Sequence, residues 1–340
     1  LVPHLAEFAV LAESGALKGI SRVIMLACGT SYYASLIARA MIERWAQLPV
    51  EPWIASEFRY ADPVVGPDTL VIAITQSGET ADTIAAVRRA RDAGAKVIGI
   101  TNTVGSALTR EVDATLYMQA GPEISVPATK TFAASTIVLT LLALSLAAHR
   151  DALAPRAITN LLRQVETIPI LMEEVLDITS QPENGIRRVA AWLAKRQSTM
   201  FIGRGVGYAM AREGALKLKE VSYIHAEGYP AGELKHGPIT LLDEQTPLVA
   251  IALQSRTYEK VISNIQEVRA RHARIIALAT AGDKAITEHA DDVFYIPPID
   301  ELLAPVIGVI PLQLLAYYTA IERGCDIDQP RNLAKSVTVE

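Results

Sequence analysis

Cysteine is scarce in this chain: Cys28 and Cys325 are the only two among 340 residues, far apart and in no metal-ligand spacing. That excludes a disulfide framework and gives no sign of a zinc site, which suits the cytoplasm. Runs of Lys or Arg are missing too, and the formal net charge is -5, so neither nucleic acid nor an anionic membrane is the expected partner. A small or neutral ligand fits better. No charged, apolar and small-residue signal-peptide pattern opens the sequence, which begins at Leu1 rather than Met, as a fragment of a longer polypeptide would. Long uninterrupted apolar runs are also few. Ala133 to Ala148 falls short of the ~20 residues a spanning helix needs, and Leu302 to Ile321 contains Pro305, Pro311 and Gln313. Both are expected to be buried core or interface helices, with no membrane involved. The nucleotide P-loop spacing G-x-x-x-x-G-K-[ST] occurs nowhere.

What the chain does have is an internal duplication. TLVIAITQSGET, from Thr69, aligns with PLVAIALQSRTY, from Pro247, at an offset of 178 residues. VIGITN (Val97 to Asn102) meets IIALAT (Ile275 to Thr280), and EVDATLYM (Glu111 to Met118) meets HADDVFYI (His289 to Ile296), at that same offset. Upstream, MLACGTSYYA from Met25 meets FIGRGVGYAM from Phe201 at an offset of 176, a two-residue indel away. The chain reads as two copies of one unit, and each divergence between the copies marks a task given to one half. Half of the residues are hydrophobic, enough for two ordinary cores at roughly 100 to 200 residues per domain.

The residue pattern predicts a helix before Gly19, strand Arg22 to Ala27, a loop at Cys28 to Ser31, and a helix from Tyr32 to Trp45. Strand Thr69 to Thr75, loop Gln76 to Gly78, helix Thr80 to Asp92 and strand Lys96 to Thr101 follow. Short β-rich runs alternating with amphipathic helices are the pattern of parallel sheets covered on both faces. The expected fold is therefore α/β: two duplicated, doubly wound parallel sheets flanked by helices. Asp151 to Gln197, with Pro155, Pro169, Pro182 and Gly185 among helical patterns, reads as a helical connector.

The first copy carries two loops that end strands and open helices, Cys28-Gly29-Thr30-Ser31 and Thr75-Gln76-Ser77-Gly78-Glu79-Thr80. Ligands of open α/β sheets lie beyond the carboxyl ends of the strands. A helix N-terminus there offers amides and a partial positive charge to a phosphate, with the hydroxyls of Thr30, Ser31, Thr75, Ser77 and Thr80 beside it. One such loop alone would more simply be a capped helix, with Glu79 and Asp82 answering its dipole. Two loops at equivalent sheet positions favour phosphate. In the second copy Arg204, Val206, Gly207, Arg256 and Tyr258 replace Cys28, Thr30, Ser31, Gly78 and Thr80. Its Gly203-x-Gly205 start resembles a dinucleotide fingerprint, but Tyr208 holds the place of the third Gly and no strand-end acid follows, so NAD is not expected. The second copy instead gains Glu213, Lys217 and Glu220 at i, i+4 and i+7 on one helical face. That spacing suits a solvated salt-bridge face, or a base with a charged neighbour that would depress its pKa unless burial offsets it.

The segments ACGTSYYA, TQSGETADT, EGALKLKE, HAEGYPAGELKHGP and DQPRNLAKSVTVE together resemble the isomerase domain of the glutamine:fructose-6-phosphate aminotransferases (glucosamine-6-phosphate synthases), from about Gly19 to Glu340. The first two segments are shared by sugar isomerase (SIS) domains at large, whereas AGELKHGP and the C-terminal tail are specific to the synthases. The resemblance implies two SIS subdomains at 1–150 and 199–325, with a helical connector at 151–198 and a tail at 326–340. It also implies a sugar-phosphate site at the junction of the subdomains, with no metal and no cofactor. Ser31, Gln76, Ser77 and Thr80, with Thr75, would hold the phosphate, and Thr30 and Val126 would lie in the substrate-binding set. Lys335 would form a Schiff base with C2 of fructose 6-phosphate. Glu220 would move the proton between C1 and C2, Lys217 would be a further active-site lysine, and His236, from the neighbouring subunit of a homodimer with shared active sites, would assist ring opening. An aldose-ketose shift with amination does need an electrophilic C2, a carboxylate-strength base and an acid-base group for the ring oxygen. Without the resemblance, Lys335 would read as tail charge and His236 as a loop histidine.

Thr75 stands where the family commonly has Ser, and Ala128 replaces a frequent Ser near the sugar, while Pro127 and Pro230 stiffen their loops. The family's glutaminase half, with its N-terminal cysteine nucleophile, has no counterpart here, and Cys28 has no His and Asp arranged around it. The expected function is an isomerase domain that, with ammonia from a glutaminase domain in the full-length chain, forms glucosamine 6-phosphate. A stand-alone sugar-phosphate isomerase or deaminase, or a non-catalytic phosphosugar sensor, is the alternative. Joint retention of Glu220, His236 and Lys335 argues against the sensor, which needs only the phosphate loops.

Overall fold

The computed structural model describes residues 5–181 and 185–339; Pro182 of the connector and Glu340 of the tail motif lie outside the described residues. The chain forms two compact units. The first comprises residues through Ile124, Ala128–Leu162 and the segment from Ala334 on; the second comprises Ser125–Pro127 and Arg163–Leu333.

In the first unit, helix α1 (Ala6–Glu13) precedes β1 (Arg22–Ala27), α2 (Gly29–Trp45), β2 (Val50–Ile54), the short α3 (Ala55–Phe58) and β3 (Thr69–Ile74). Then come α4 (Ala81–Asp92), β4 (Lys96–Thr101), β5 (Ala114–Tyr117) and α5 (Lys130–His149). The strands form one parallel sheet in the order β2-β1-β3-β4-β5. Every residue of β3 is buried because helices cover both faces, which is why the strand reads as a continuous apolar run rather than an alternating one. On one face Ile24, Leu26, Val71 and Ala73 pack with Phe58 and the α4 residues Ala86, Val87 and Ala90; α2 and α5 pack together as a pair.

Two features depart from the residue-pattern expectation. Thr30 and Ser31 sit in the first turn of α2, which begins at Gly29 directly after Cys28, so the expected loop is reduced to a helix start. Strand β2 was not expected, because Pro52 lies within it; as an edge strand it pairs on one side only, and an edge tolerates the missing amide.

Helix α6 (Pro155–Ser180) runs through Pro169 and contains the boundary between the units. Within the second unit, α7 (Ile186–Leu193) leads to β6 (Ser198–Gly203), α8 (Val206–Ser222), β7 (His225–Pro230), β8 (Leu248–Ala252), α9 (Tyr258–Arg269), β9 (Ile275–Thr280), β10 (Asp292–Ile296) and α10 (Ala304–Glu322). Its parallel sheet has the order β10-β9-β8-β6-β7, the topology of the first unit repeated strand for strand. Helices α5 and α10 are long and apolar enough, by length and composition, to cross a membrane, because α5 extends beyond the apolar run through Lys130 and His149. They are nevertheless core helices, with 78% and 72% of their most apolar windows buried inside the fold.

Candidate functional site

The strand order of the first sheet creates a switch point between β1 and β3, where the chain turns toward opposite sheet edges. Open α/β sheets place their ligands at the carboxyl ends of the strands beside such a point. The chain leaves β1 through Cys28 directly into the first turn of α2, and leaves β3 through the loop Thr75–Thr80. Thr80 is the N-cap residue of α4, yet its side chain makes no capping hydrogen bond. Its hydroxyl instead lies 2.8 Å from that of Thr75, and the Ser77 hydroxyl accepts the Glu79 amide at 3.2 Å. The loop is held from behind by β4 and the residues that follow it: Gln76 O accepts the Asn102 amide at 3.0 Å, Gly78 O accepts Leu108 N at 2.9 Å, and Glu79 Oε1 accepts Ala107 N at 2.8 Å. Gly78 adopts φ +69°, and a Cβ there would fall 1.9 Å from Ser106 Oγ, so both conformation and space demand glycine. Asp82, one residue into the helix, pairs with Arg59 at 2.9 Å. The carboxylates that could have served the helix dipole are thus engaged sideways, and Thr75 keeps its hydroxyl inside the loop despite the added methyl group. Cys28 is the N-cap residue of α2, where burial pushes its thiol pKa up. That is the wrong direction for a nucleophile.

Lys335 belongs to this unit. The tail is tied down by the Ala81 amide, which donates to Val337 O at 3.2 Å, so the start of α4 anchors the backbone two residues beyond the lysine. Lys335 Nζ lies 3.4 Å from Glu123 Oε2. The Glu123 side chain is only 3% exposed and also accepts the Thr129 amide at 2.7 Å, the Thr129 hydroxyl at 3.2 Å, and the hydroxyl of Thr131. Burial alone would raise its pKa, but these donors and the Lys335 charge prevail and hold the carboxyl below its ordinary range. The residue pattern did not single out Glu123. It stands 212 positions from its lysine, and no local spacing links the two.

The second unit carries the ionisable residues of α8. Glu213 is fully buried and Lys217 is 2% exposed. Lys217 Nζ lies 2.6 Å from Glu220 Oε2 and 3.5 Å from Glu213 Oε1, with the Glu220 side chain 20% exposed. The spacing i, i+4, i+7 therefore marks a charged triad with two buried members and a half-buried third, rather than a solvated face. Burial opposes the Lys217 charge, but the two carboxylates outweigh it and hold its pKa above the ordinary lysine value. Helix α8 is capped at its C-terminus by Tyr223, in the left-handed region at φ 60°, whose hydroxyl accepts the Arg331 amide at 2.9 Å. His236 ends the 3-10 turn Ala231–His236 and is exposed. Val126 is half-buried, its amide donating to Asp328 O at 2.8 Å.

The second unit's counterparts of these strand-end segments are closed by internal bonds: Arg204 Nε donates to Asn264 Oδ1 at 3.1 Å and the Tyr258 hydroxyl to Asp283 at 2.6 Å. A Cβ on Gly203 would lie 2.2 Å from Gly207 O, so the dinucleotide-like glycines serve close strand-helix packing. Among the described residues, no three His, Cys, Asp or Glu side chains gather so that they could hold a metal ion.

The SIS domain family matches the chain twice, over residues 16–145 and 192–323. The chain belongs to the SIS domain family. Among curated relatives of this SIS chain, the glutamine-fructose-6-phosphate aminotransferase (isomerizing) of Thermus thermophilus is 51% identical over 323 residues, covering 95% of this chain and 53% of that protein. The enzyme of the same name from Methanosarcina acetivorans is 50% identical over 324 residues, covering 95% and 52%. The chain thus spans about half the length of the curated relatives it matches. The solved C-terminal domain of glucosamine-fructose-6-phosphate aminotransferase from Francisella tularensis superposes with a TM-score of 0.88 at 37% identity, covering 93% of this chain and 88% of that one. Within the SIS family, this double SIS chain therefore groups with the C-terminal domains of that aminotransferase.

Proposed function

We propose that this chain is the isomerase part of a glutamine:fructose-6-phosphate aminotransferase. It binds fructose 6-phosphate and, with ammonia from a glutaminase domain, forms glucosamine 6-phosphate in the cytoplasm. The observation that carries the reading is the coupling, within one unit, of a hydroxyl-rich strand-end loop to a tail lysine through the start of a single helix. Ser31, Gln76, Ser77 and Thr80, with Thr75, take the phosphate, whose charge the α4 N-terminus favours; Thr30 and Val126 belong to the same substrate-binding set. Lys335 condenses with C2 of the open-chain sugar. Glu220 carries the proton between C1 and C2, next to a Lys217 that stays charged and balances the carboxylates. His236 serves ring opening from the partner of a homodimer.

The buried Glu213 and Lys217, with half-buried Glu220 beside them, speak against a non-catalytic sensor, because burying charges is costly and phosphate capture has no use for them. Purified chain supplied with fructose 6-phosphate should produce glucose 6-phosphate without hydrolysing glutamine, and Glu220→Gln should abolish the conversion. Binding of fructose 6-phosphate without isomerisation would sink the enzymatic reading and favour the sensor. Release of glutamate from glutamine would overturn the assignment of nitrogen supply to another domain.

A further inference from the structure

The Glu123 carboxylate is conspicuous for a side chain near the surface of a loop. It is 3% exposed, receives the Thr129 amide at 2.7 Å, and collects the hydroxyls of Thr129 and Thr131. Those contacts alone would make it a cap for α5, whose N-cap residue is Thr129. A cap needs no distant cation, yet Lys335 Nζ comes to 3.4 Å from Oε2, brought there by a tail pinned to the first amide of α4.

We propose that Glu123 is the positioning residue for Lys335: its fixed carboxylate holds the lysine nitrogen beside the phosphate-binding helix start and remains as counter-ion when that nitrogen becomes an iminium. The inference rests on the reading of Lys335 as the imine-forming lysine.

The chemistry balances around this pair. To attack, the Lys335 ammonium gives one proton to the carboxylate; the free amine adds to the C2 carbonyl to form the C2–N bond. The C2 hydroxyl then leaves as water, taking back that proton. Between the two steps a proton passes from the new C2–N nitrogen to the alkoxide oxygen, giving a neutral carbinolamine. One ammonium and one ketone become one iminium and one water, so the positive charge begins and ends on nitrogen and the carboxylate is neutral only in between. Because the Thr129 amide and hydroxyl hold Oε1 and the Thr131 hydroxyl holds Oε2 beside the lysine, the carboxylate is oriented before substrate arrives and needs little reorganisation as the charge moves from ammonium to iminium. The depressed pKa of Glu123 agrees with a group kept ionised at neutral pH to face that charge.

The test uses Glu123→Gln, which keeps an acceptor for the Thr129 amide but removes the charge, with Glu123→Asp as the conservative partner. Borohydride trapping of fructose 6-phosphate on Lys335, read by peptide mass, should slow by about tenfold or more in Glu123→Gln, as expected for losing a hydrogen bond between charged groups. The kcat for isomerisation should fall in parallel, while KM and the Kd for sorbitol 6-phosphate, which has no carbonyl, stay within about twofold. Glu123→Asp should recover part of the trapping rate.

Trapping at the wild-type rate in Glu123→Gln would show that Glu123 only caps α5. Loss of sorbitol 6-phosphate binding along with trapping in both variants would show a general disturbance and equally overturn the positioning role. Absence of a Lys335 adduct in the unaltered chain would instead remove the underlying assignment of the lysine, an outcome visible before any variant is made.

Discussion

The amide of Ala81 donates to the carbonyl of Val337 at 3.2 Å, so the first residue of α4 holds the C-terminal tail. The proposed phosphate loop and the placement of Lys335 thereby depend on one piece of backbone. In the proposed reaction this sets the distance from the phosphate end of the sugar to the nitrogen that must reach C2, and proximity of that kind supplies much of the barrier reduction in condensation reactions. If so, Lys335 is placed by the loop that recognises the substrate, and borohydride reduction with fructose 6-phosphate should label Lys335 alone. Lys335→Ala should abolish the label while leaving sorbitol 6-phosphate binding largely intact. A label that maps to Lys217 would reassign the imine.

Gly78 gives the loop its shape, and Gly78→Ala is expected to be severe. The added methyl would lie 1.9 Å from Ser106 Oγ at a φ of +69°. The loop must shift, at a cost of about 2 kcal/mol or more from strain and displaced packing. Urea unfolding should show that loss, and sorbitol 6-phosphate affinity should fall with it. Gly29→Ala, also at positive φ but with nothing near the new Cβ, should cost less.

Much of this architecture is legible in the residue order. The offset of 178 in the second half of each copy returns as two sheets of one topology, and β1 and β4 occupy their expected spans, each a largely apolar run opened by Arg22 or Lys96. The loop Thr75–Thr80 does fall at a strand end, with the Thr75 and Thr80 hydroxyls side by side as their spacing suggested. Strand β2 was hidden by Pro52, whose cost disappears only at a sheet edge, and edge position is a property of the whole sheet. The i, i+4, i+7 spacing of Glu213, Lys217 and Glu220 identified a shared face but not its burial, which depends on the elements packed around α8, among them α10, β6 and β7. Glu123 was invisible because its significance lies in a contact 212 residues away.

The charged triad should be fragile to removal of its cation. Lys217→Met leaves fully buried Glu213 facing Glu220 without the ammonium between them. Breaking a buried ion pair from one side typically costs about 3–5 kcal/mol. The double variant Glu213→Gln, Lys217→Met should regain part of that loss in urea unfolding, because the uncompensated charge is gone. A double variant less stable than Lys217→Met would mean that Glu213 contributes mainly through packing.

Acid should weaken the first unit through Glu123. Its folded pKa lies below the ordinary glutamate value of 4.5, so its contribution to stability is present above that value and is lost as pH falls through the folded pKa. The stability gap between the unaltered chain and Glu123→Gln should therefore be constant near about pH 6 to 7 and shrink below about pH 4.5. A gap that widens with acidification would mean that the folded state raises this pKa, contrary to the donors arranged around the carboxylate.

The homodimer proposed for this chain makes a prediction about shared sites. If His236 serves the partner's site while Glu220 serves its own, Glu220→Gln lacks the proton-transfer base and His236→Ala lacks the ring-opening group, so each should be nearly inactive alone. In a heterodimer of the two variants, one site collects both defects and the other has neither. Random reassembly of equal amounts after unfolding places half of the dimers in the mixed form, with one intact site in two, so activity should recover toward about one quarter of the unaltered enzyme. Mass-verified heterodimers with no recovery would mean that His236 acts within its own chain or that the two sites cannot work independently. Recovery before any exchange of subunits would remove complementation as the cause.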